Sequence, residues 1–81
     1  MTVLFFGVAE EIVGKASLSV SSEKVRSLRN VGDLRSFLIS KYPKLENLSS
    51  LAIAVNSAYA DDDSKINDSD EIALIPPVSG G

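Results

Sequence analysis

An α+β fold, with one main helix packed on one face of a mixed sheet of about five strands, follows from three features of this 81-residue chain. Only the stretch from Asn30 to Tyr42 carries sustained helical periodicity. Short apolar or alternating runs lie on both sides of it, at Val3–Val8, Ala16–Val20, Leu51–Val55 and Glu71–Ile75. Runs of that length bounded by turn residues are strands. No repeat, linker or compositional break divides the chain, so residues 1–81 form a single domain with a protruding tail at 76–81.

Val3–Val8 combines β-branched and aromatic residues and predicts the first strand. Ala9–Val13 is a short helical turn, ended by Gly14. In Ala16–Val20, Leu18 and Val20 fall on one face of a second strand, and Ser21-Ser22-Glu23-Lys24 is a loop or an extension of it. Asn30 is a good N-cap, and Asp33 sits in the first turn, where the helix dipole favours an acid. Val31, Leu34, Phe37, Leu38 and Tyr42 make one apolar face, opposite Arg35, Ser36, Ser40 and Lys41, and Pro43 stops the helix. Leu51–Val55 turns its larger residues inward and Ala52 and Ala54 outward. Asn56-Ser57-Ala58-Tyr59 is a turn into a short returning strand, and Asp61–Asp63 and Asn67–Asp70 are polar loops before the last strand.

Composition removes several classes of function. The chain has neither cysteine nor histidine. Disulfides, thiolate metal sites and a cysteine nucleophile are therefore absent, as are the usual general base and the commonest metal ligand. A formal net charge of −3 argues against nucleic acid as a partner. No apolar run reaches the length of a membrane span, and the start lacks the pattern of a secretory signal, so an intracellular, cytoplasmic protein is expected. Asp61-Asp62-Asp63 lacks the alternation of a calcium loop and is expected to be a solvated loop that binds no metal. The six acids between Asp61 and Glu71, against Lys65 alone, could steer the tail-bearing edge towards a basic surface.

Function is concentrated at the end, Pro76-Pro77-Val78-Ser79-Gly80-Gly81. Average glycine usage is about 7%, so two in succession at a terminus arise by chance well under 1% of the time. A terminal Gly-Gly has no Cβ to block approach to the carboxylate and can enter a narrow site. Pro76 and Pro77 end the preceding strand and hold the tail extended. One helix covers one sheet face, yet Val3–Val8 and Glu71–Ile75 are apolar on both. The second face is expected to be a partner surface built from Phe6, Tyr59, Ala73 and Ile75.

With this order and tail the chain resembles the β-grasp, or ubiquitin-like, fold, and more closely the MoaD family of ubiquitin-like sulfur carriers, the small subunits of molybdopterin synthase. The resemblance spans the whole chain. It rests on Val3-Leu4-Phe5-Phe6-Gly7, Glu11-Ile12-Val13-Gly14, Val31-Gly32-Asp33-Leu34, Lys41-Tyr42-Pro43, Ala54-Val55-Asn56 and Asp68-Ser69-Asp70-Glu71-Ile72-Ala73. Its most specific part is Pro76-Pro77-Val78-Ser79-Gly80-Gly81. The family usually has glycine where this chain has Ser69, and serine there implies a turn that has relaxed to a type it tolerates.

The resemblance implies that a MoeB-like adenylating enzyme uses ATP to convert the Gly81 carboxylate into an acyl adenylate. A sulfur donor then displaces AMP and leaves a thiocarboxylate. The loaded tail enters the large, MoaE-like subunit, which holds the active site, and gives sulfur to a cyclic pterin precursor in molybdenum cofactor biosynthesis. Gly80 provides clearance, and Pro76, Pro77, Val78 and Ser79 line the channel. The chain itself is a non-catalytic carrier with no bound cofactor, in an assembly of two small and two large subunits. Three alternatives use the same residues differently: a carrier for thiamine synthesis or tRNA thiolation, a ubiquitin-like modifier joined through Gly81 to lysines, and an interaction module with an inert tail.

Overall fold

The computed structural model describes residues 1–48 and 50–76. Thr2–Phe5 forms β1, Gly7–Val13 α1, Ser17–Ser19 β2, Ser22–Ser27 α2 and Val31–Lys41 α3. A 3-10 helix at Pro43–Asn47 leads to β3, Ala52–Val55, then β4, Ala58–Ala60, and β5, Glu71–Ile75. The sheet order is β2-β1-β5-β3-β4. The central pair β1 and β5 runs parallel and every other pair antiparallel, which makes the sheet mixed.

The helix α3 follows from its caps and its stripe. Asn30 Oδ1 accepts a hydrogen bond from the Asp33 amide at 2.9 Å, and Asp33 Oδ2 accepts one from the Arg29 amide at 2.9 Å. The exchange satisfies donors at the frayed end of the helix. Val31, Leu34 and Leu38 are fully buried against Val3 and Phe5 of β1, Ile53 of β3, and Ile72 and Leu74 of β5. The Tyr42 ring meets the Phe5 ring edge-on at 6.1 Å. Strand β5 alternates Ile72 and Leu74 inward with Glu71, Ala73 and Ile75 outward.

Two local expectations need correction. The first strand ends at Phe5 rather than Val8, because Gly7 adopts a φ of +53° and turns the chain into α1. An unbroken apolar run does not distinguish strand from helix by periodicity. Ser21–Lys24 is neither loop nor strand: Ser21 caps α2, its Oγ accepting from the Lys24 amide at 3.2 Å, and Val25 and Leu28 reach the core. The remaining turns match their sequences. Asn56 and Ser57 take φ values of +50° and +71°, a pair of left-handed residues that suits the twist of a two-residue hairpin. Among the described residues they are the only non-glycines with positive φ, so Ser69 lies in ordinary backbone. Its turn is closed by the Asp70 amide donating to the Asn67 carbonyl and the Asn67 amide donating to Asp70 Oδ2.

Two surface carboxylates tie distant segments together. Asp68 accepts from Ser22 Oγ at 2.8 Å and from the Met1 ammonium at 3.2 Å, and these bonds hold its carboxyl below its ordinary value. The Arg29 amide does the same for Asp33. A carboxyl whose folded pKa is depressed stabilises the fold above its unfolded pKa of about 3.9 and loses that contribution as pH falls through the lower folded value. Stability should therefore hold flat from neutrality to about pH 5 and decline below it. Denaturant titrations over this range should show a shallower acid decline for Asp33→Asn and Asp68→Asn.

Candidate docking face and root of the tail

Strand alternation fixes what the outer face of the sheet carries. With Val3, Phe5, Ile53, Ile72 and Leu74 turned to the core, Leu4, Ala52, Ala54, Ala73 and Ile75 face away from the helices. The register sets four strands in one row: Leu4 opposite Ala73, Ala73 opposite Ala54, and Ala54 opposite Tyr59. In the next row Ala52 lies opposite Ile75. The Phe6 amide donates to the Leu74 carbonyl, which extends the parallel ladder one step and brings Phe6 level with Ile75. Tyr59 is 76% exposed and Phe6 47%, large values for aromatic residues with no function in packing.

All four residues expected on the partner surface, Phe6, Tyr59, Ala73 and Ile75, thus lie on one face. The structure adds Leu4, Ala52 and Ala54. Ala54 is buried yet outside the core cluster, flanked by Tyr59 and Ala73. The alternation around Ile53 already turned the two alanines outward, but their small side chains gave no signal of a surface. The face is polar at one end, where Ser19, Thr2 and Glu71 align, and apolar towards the end where β5 leaves the sheet. The apolar part therefore leads to the root of the tail.

That root is held by close packing. A Cβ placed on Gly7 would stand 3.3 Å from Cγ of Pro76. Pro76 is half-buried there; Pro77, Val78, Ser79, Gly80 and Gly81 lie outside the described residues. Gly7→Ala should cost about 1–2 kcal/mol, since its left-handed backbone penalises any Cβ. Gly7→Val should cost more and displace Pro76. Denaturant midpoints check the first effect, and the chemical shifts of Pro76 the second.

The acidic residues do not share one edge, contrary to expectation. Asp61–Asp63 follow β4 at the end of the sheet where β5 exits, whereas Asp68, Asp70 and Glu71 lie where β5 begins. The five residues of β5 separate the two groups by about 17 Å. Most of these acids have structural partners. The Asp62 carbonyl accepts from the Gly32 amide and its Oδ1 from Arg35 Nε, Asp61 Oδ1 accepts from Ser64 Oγ, and Asp70 Oδ1 accepts from Asn56 Nδ2. The Asp61–Ser64 loop thus satisfies the first amides of α3, because the Val31 amide donates to the Ser64 carbonyl. Among the described residues no three carboxylates gather in a group that could hold a metal. None of the described helices is long and apolar enough to cross a membrane.

Comparison with known proteins agrees with this geometry. The chain matches the ThiS family over residues 3–81. It is 36% identical to the molybdopterin synthase sulfur carrier subunit of Dictyostelium discoideum, across 98% of this chain and 93% of that protein. Among solved structures it resembles the complex of subunits 1 and 2 of the molybdopterin-converting factor from Helicobacter pylori, at 30% identity and a TM-score of 0.66, over 99% of this chain and 96% of that one. It also resembles small archaeal modifier protein 1 from Methanosarcina acetivorans, at 27% identity and a TM-score of 0.79, over 99% and 94%. The chain belongs to the ThiS family of β-grasp proteins, and its relatives there are sulfur carrier subunits of molybdopterin synthase.

Proposed function

We propose that the chain carries sulfur on Gly81 and delivers it within a molybdopterin synthase. A carboxylate is a poor electrophile, so loading begins with attack of the Gly81 carboxylate on ATP. An acyl adenylate forms and pyrophosphate leaves, on a MoeB-like activating enzyme. A sulfur nucleophile then displaces AMP and leaves the thiocarboxylate. This chemistry needs no cysteine or histidine on the carrier, and this chain has neither. Gly80 keeps the approach clear, while Pro76, Pro77, Val78 and Ser79 line the channel of a large, MoaE-like subunit where a cyclic pterin precursor takes the sulfur. ATP is consumed by the activating enzyme, and no cofactor stays on the carrier.

One observation carries the reading: the outward apolar rows of Leu4, Ala73, Ala54 and Tyr59, and of Ile75 and Ala52, lie along and beside the strand that ends in the tail. A surface so placed docks the body of the carrier while its terminus reaches into the partner. Cytoplasmic location, and an assembly of two small and two large subunits, belong to the same proposal. A second reading, attachment of Gly81 to lysines of target proteins, is favoured by the likeness to the archaeal modifier protein. Both uses begin with the same adenylation. The test is reconstitution of the thiocarboxylated chain with the large subunit and the cyclic pterin precursor. Formation of the dithiolene product, one sulfur per carrier consumed, is the expected result. An intact thiocarboxylate after incubation with a competent large subunit would contradict the molybdopterin role.

A further inference from the structure

The helices α1 and α3 end beside one another. Gly14, at a φ of +85°, closes α1 by donating its amide to the Glu10 carbonyl at 2.8 Å. Pro43 stops α3 after Lys41, and the Tyr42 amide closes that helix on the Leu38 carbonyl at 2.8 Å. The chain then tightens into the 3-10 helix, with the Leu45 amide donating to the Tyr42 carbonyl. Between these ends lies a hollow of about 240 Å³, lined by Ile12, Lys41, Tyr42, Pro43 and Lys44. Ile12 and Tyr42 are half-buried against the core, which holds the floor of the hollow in place. Pro43 and both lysines are exposed.

Two observations say what covers this hollow. The first is charge. No acidic residue lines it. Among the described residues the ion pairs are Met1–Asp68, Arg29–Asp33 and Arg35–Asp62, so neither lysine is engaged by a carboxylate there. The Lys41 ammonium lies 5.8 Å from the centre of the Tyr42 ring, within the range of a cation–π contact. A chain of formal net charge −3 thus sets two like positive charges at the rim of an apolar floor. The second is continuity with the outer face. Val8 is 40% exposed and stands one helical turn before Ile12 on α1. Phe6, two residues earlier, is level with Ile75 at the root of the tail. Phe6, Val8 and Ile12 therefore lead from the tail root to the hollow.

We propose that the large subunit docked on the outer face also reaches round α1 and seats in this hollow a large apolar side chain flanked by acidic residues. The inference rests on the docking reading given above. The apolar side chain covers Ile12, Tyr42 and Pro43, and the flanking carboxylates meet Lys41 and Lys44. A second contact away from Ala73 fixes the rotation of the carrier about its own tail. It also gives the carrier selectivity, because a partner with basic residues at this place is repelled by the two lysines.

The test is calorimetric titration of the full chain against the large subunit at low and at high salt. Lys41→Glu with Lys44→Glu, both at exposed positions, should weaken binding about tenfold or more at low salt and flatten its salt dependence. Lys24→Glu with Lys65→Glu changes the net charge equally at exposed positions outside the hollow, and should bind within about twofold of the parent. Amide spectra of both double variants should match the parent away from the substituted positions, which excludes unfolding as the cause of any loss. Affinity indifferent to the Lys41 and Lys44 reversals would overturn the proposal. So would equal losses in the two double variants, since the effect would then be that of net charge alone. Ala73→Arg in the same series separates this inference from the reading beneath it. Loss of binding there with none from Lys41 and Lys44 would overturn the hollow and keep the outer face. A parent chain that does not bind the large subunit would overturn both.

Discussion

Deletion of Gly81 abolishes sulfur loading and leaves the fold unchanged: this is the largest effect expected of any single change to the chain. In the proposed function the reactive group is the terminal carboxyl, and activation would require it to reach the phosphate of ATP through a narrow passage. Removing Gly81 moves the carboxyl back by one residue, about 3.5 Å, beyond the reach of groups positioned to react at contact distance. Adding an alanine after Gly81 should fail equally, because a Cβ then stands beside the reacting carbon. The buried core runs from Val3 to Leu74, so neither change should move the free energy of unfolding by more than about 0.5 kcal/mol. Loss of loading together with loss of stability would signal a structural role for the tail instead.

The second large effect is expected at Ala73. It lies between Leu4 and Ala54 in the outward row, at the centre of the apolar face. Ala73→Arg places a guanidinium where docking would bury it without a partner, a situation that costs about 3 kcal/mol or more. Affinity for the large subunit should fall by about a hundredfold, which corresponds to roughly 2.8 kcal/mol. The side chain points away from Ile72 and Leu74, so thermal unfolding of the isolated chain should change little. Thr2→Lys, at the polar end of the same face, is the control and should bind nearly as well as the parent. Calorimetric titration of both variants against the large subunit separates the outcomes. Equal affinities for Ala73→Arg and the parent would place the interface elsewhere.

What the sequence made legible follows from punctuation. α3 was bounded by Asn30 and Pro43 and carried its stripe through several turns, long enough for a 3.6-residue period to stand out. β5 was bounded by Asp70 and Pro76, and the hairpin was announced by Asn56-Ser57. The start of α1 is not legible, because Phe6-Gly7-Val8 is apolar throughout and gives no period. α2 has six residues, under two turns, and its only marks are the Ser21 cap and the spacing of Val25 and Leu28. The outward apolar face is legible in the sequence as a surplus of apolar residues at Phe6, Tyr59, Ala73 and Ile75. Leu4, Ala52 and Ala54 joined it only through register, which depends on pairing between strands far apart in the chain. The acids separate for the same reason: they stand close in sequence, yet β5 sets Glu71 and Ile75 at opposite ends of the sheet.

Sulfur carried on Gly81 would be visible in the mass of the intact chain. The intact chain is incubated with ATP, a sulfide source and a MoeB-like activating enzyme, and its mass is recorded before and after. Exchange of one carboxyl oxygen for sulfur raises the mass by about 16 Da, a gain expected in the full chain and absent when Gly81 is removed. An unchanged mass with an activating enzyme that loads another carrier in the same mixture would contradict it, and would leave a β-grasp interaction module whose terminus takes no part in chemistry.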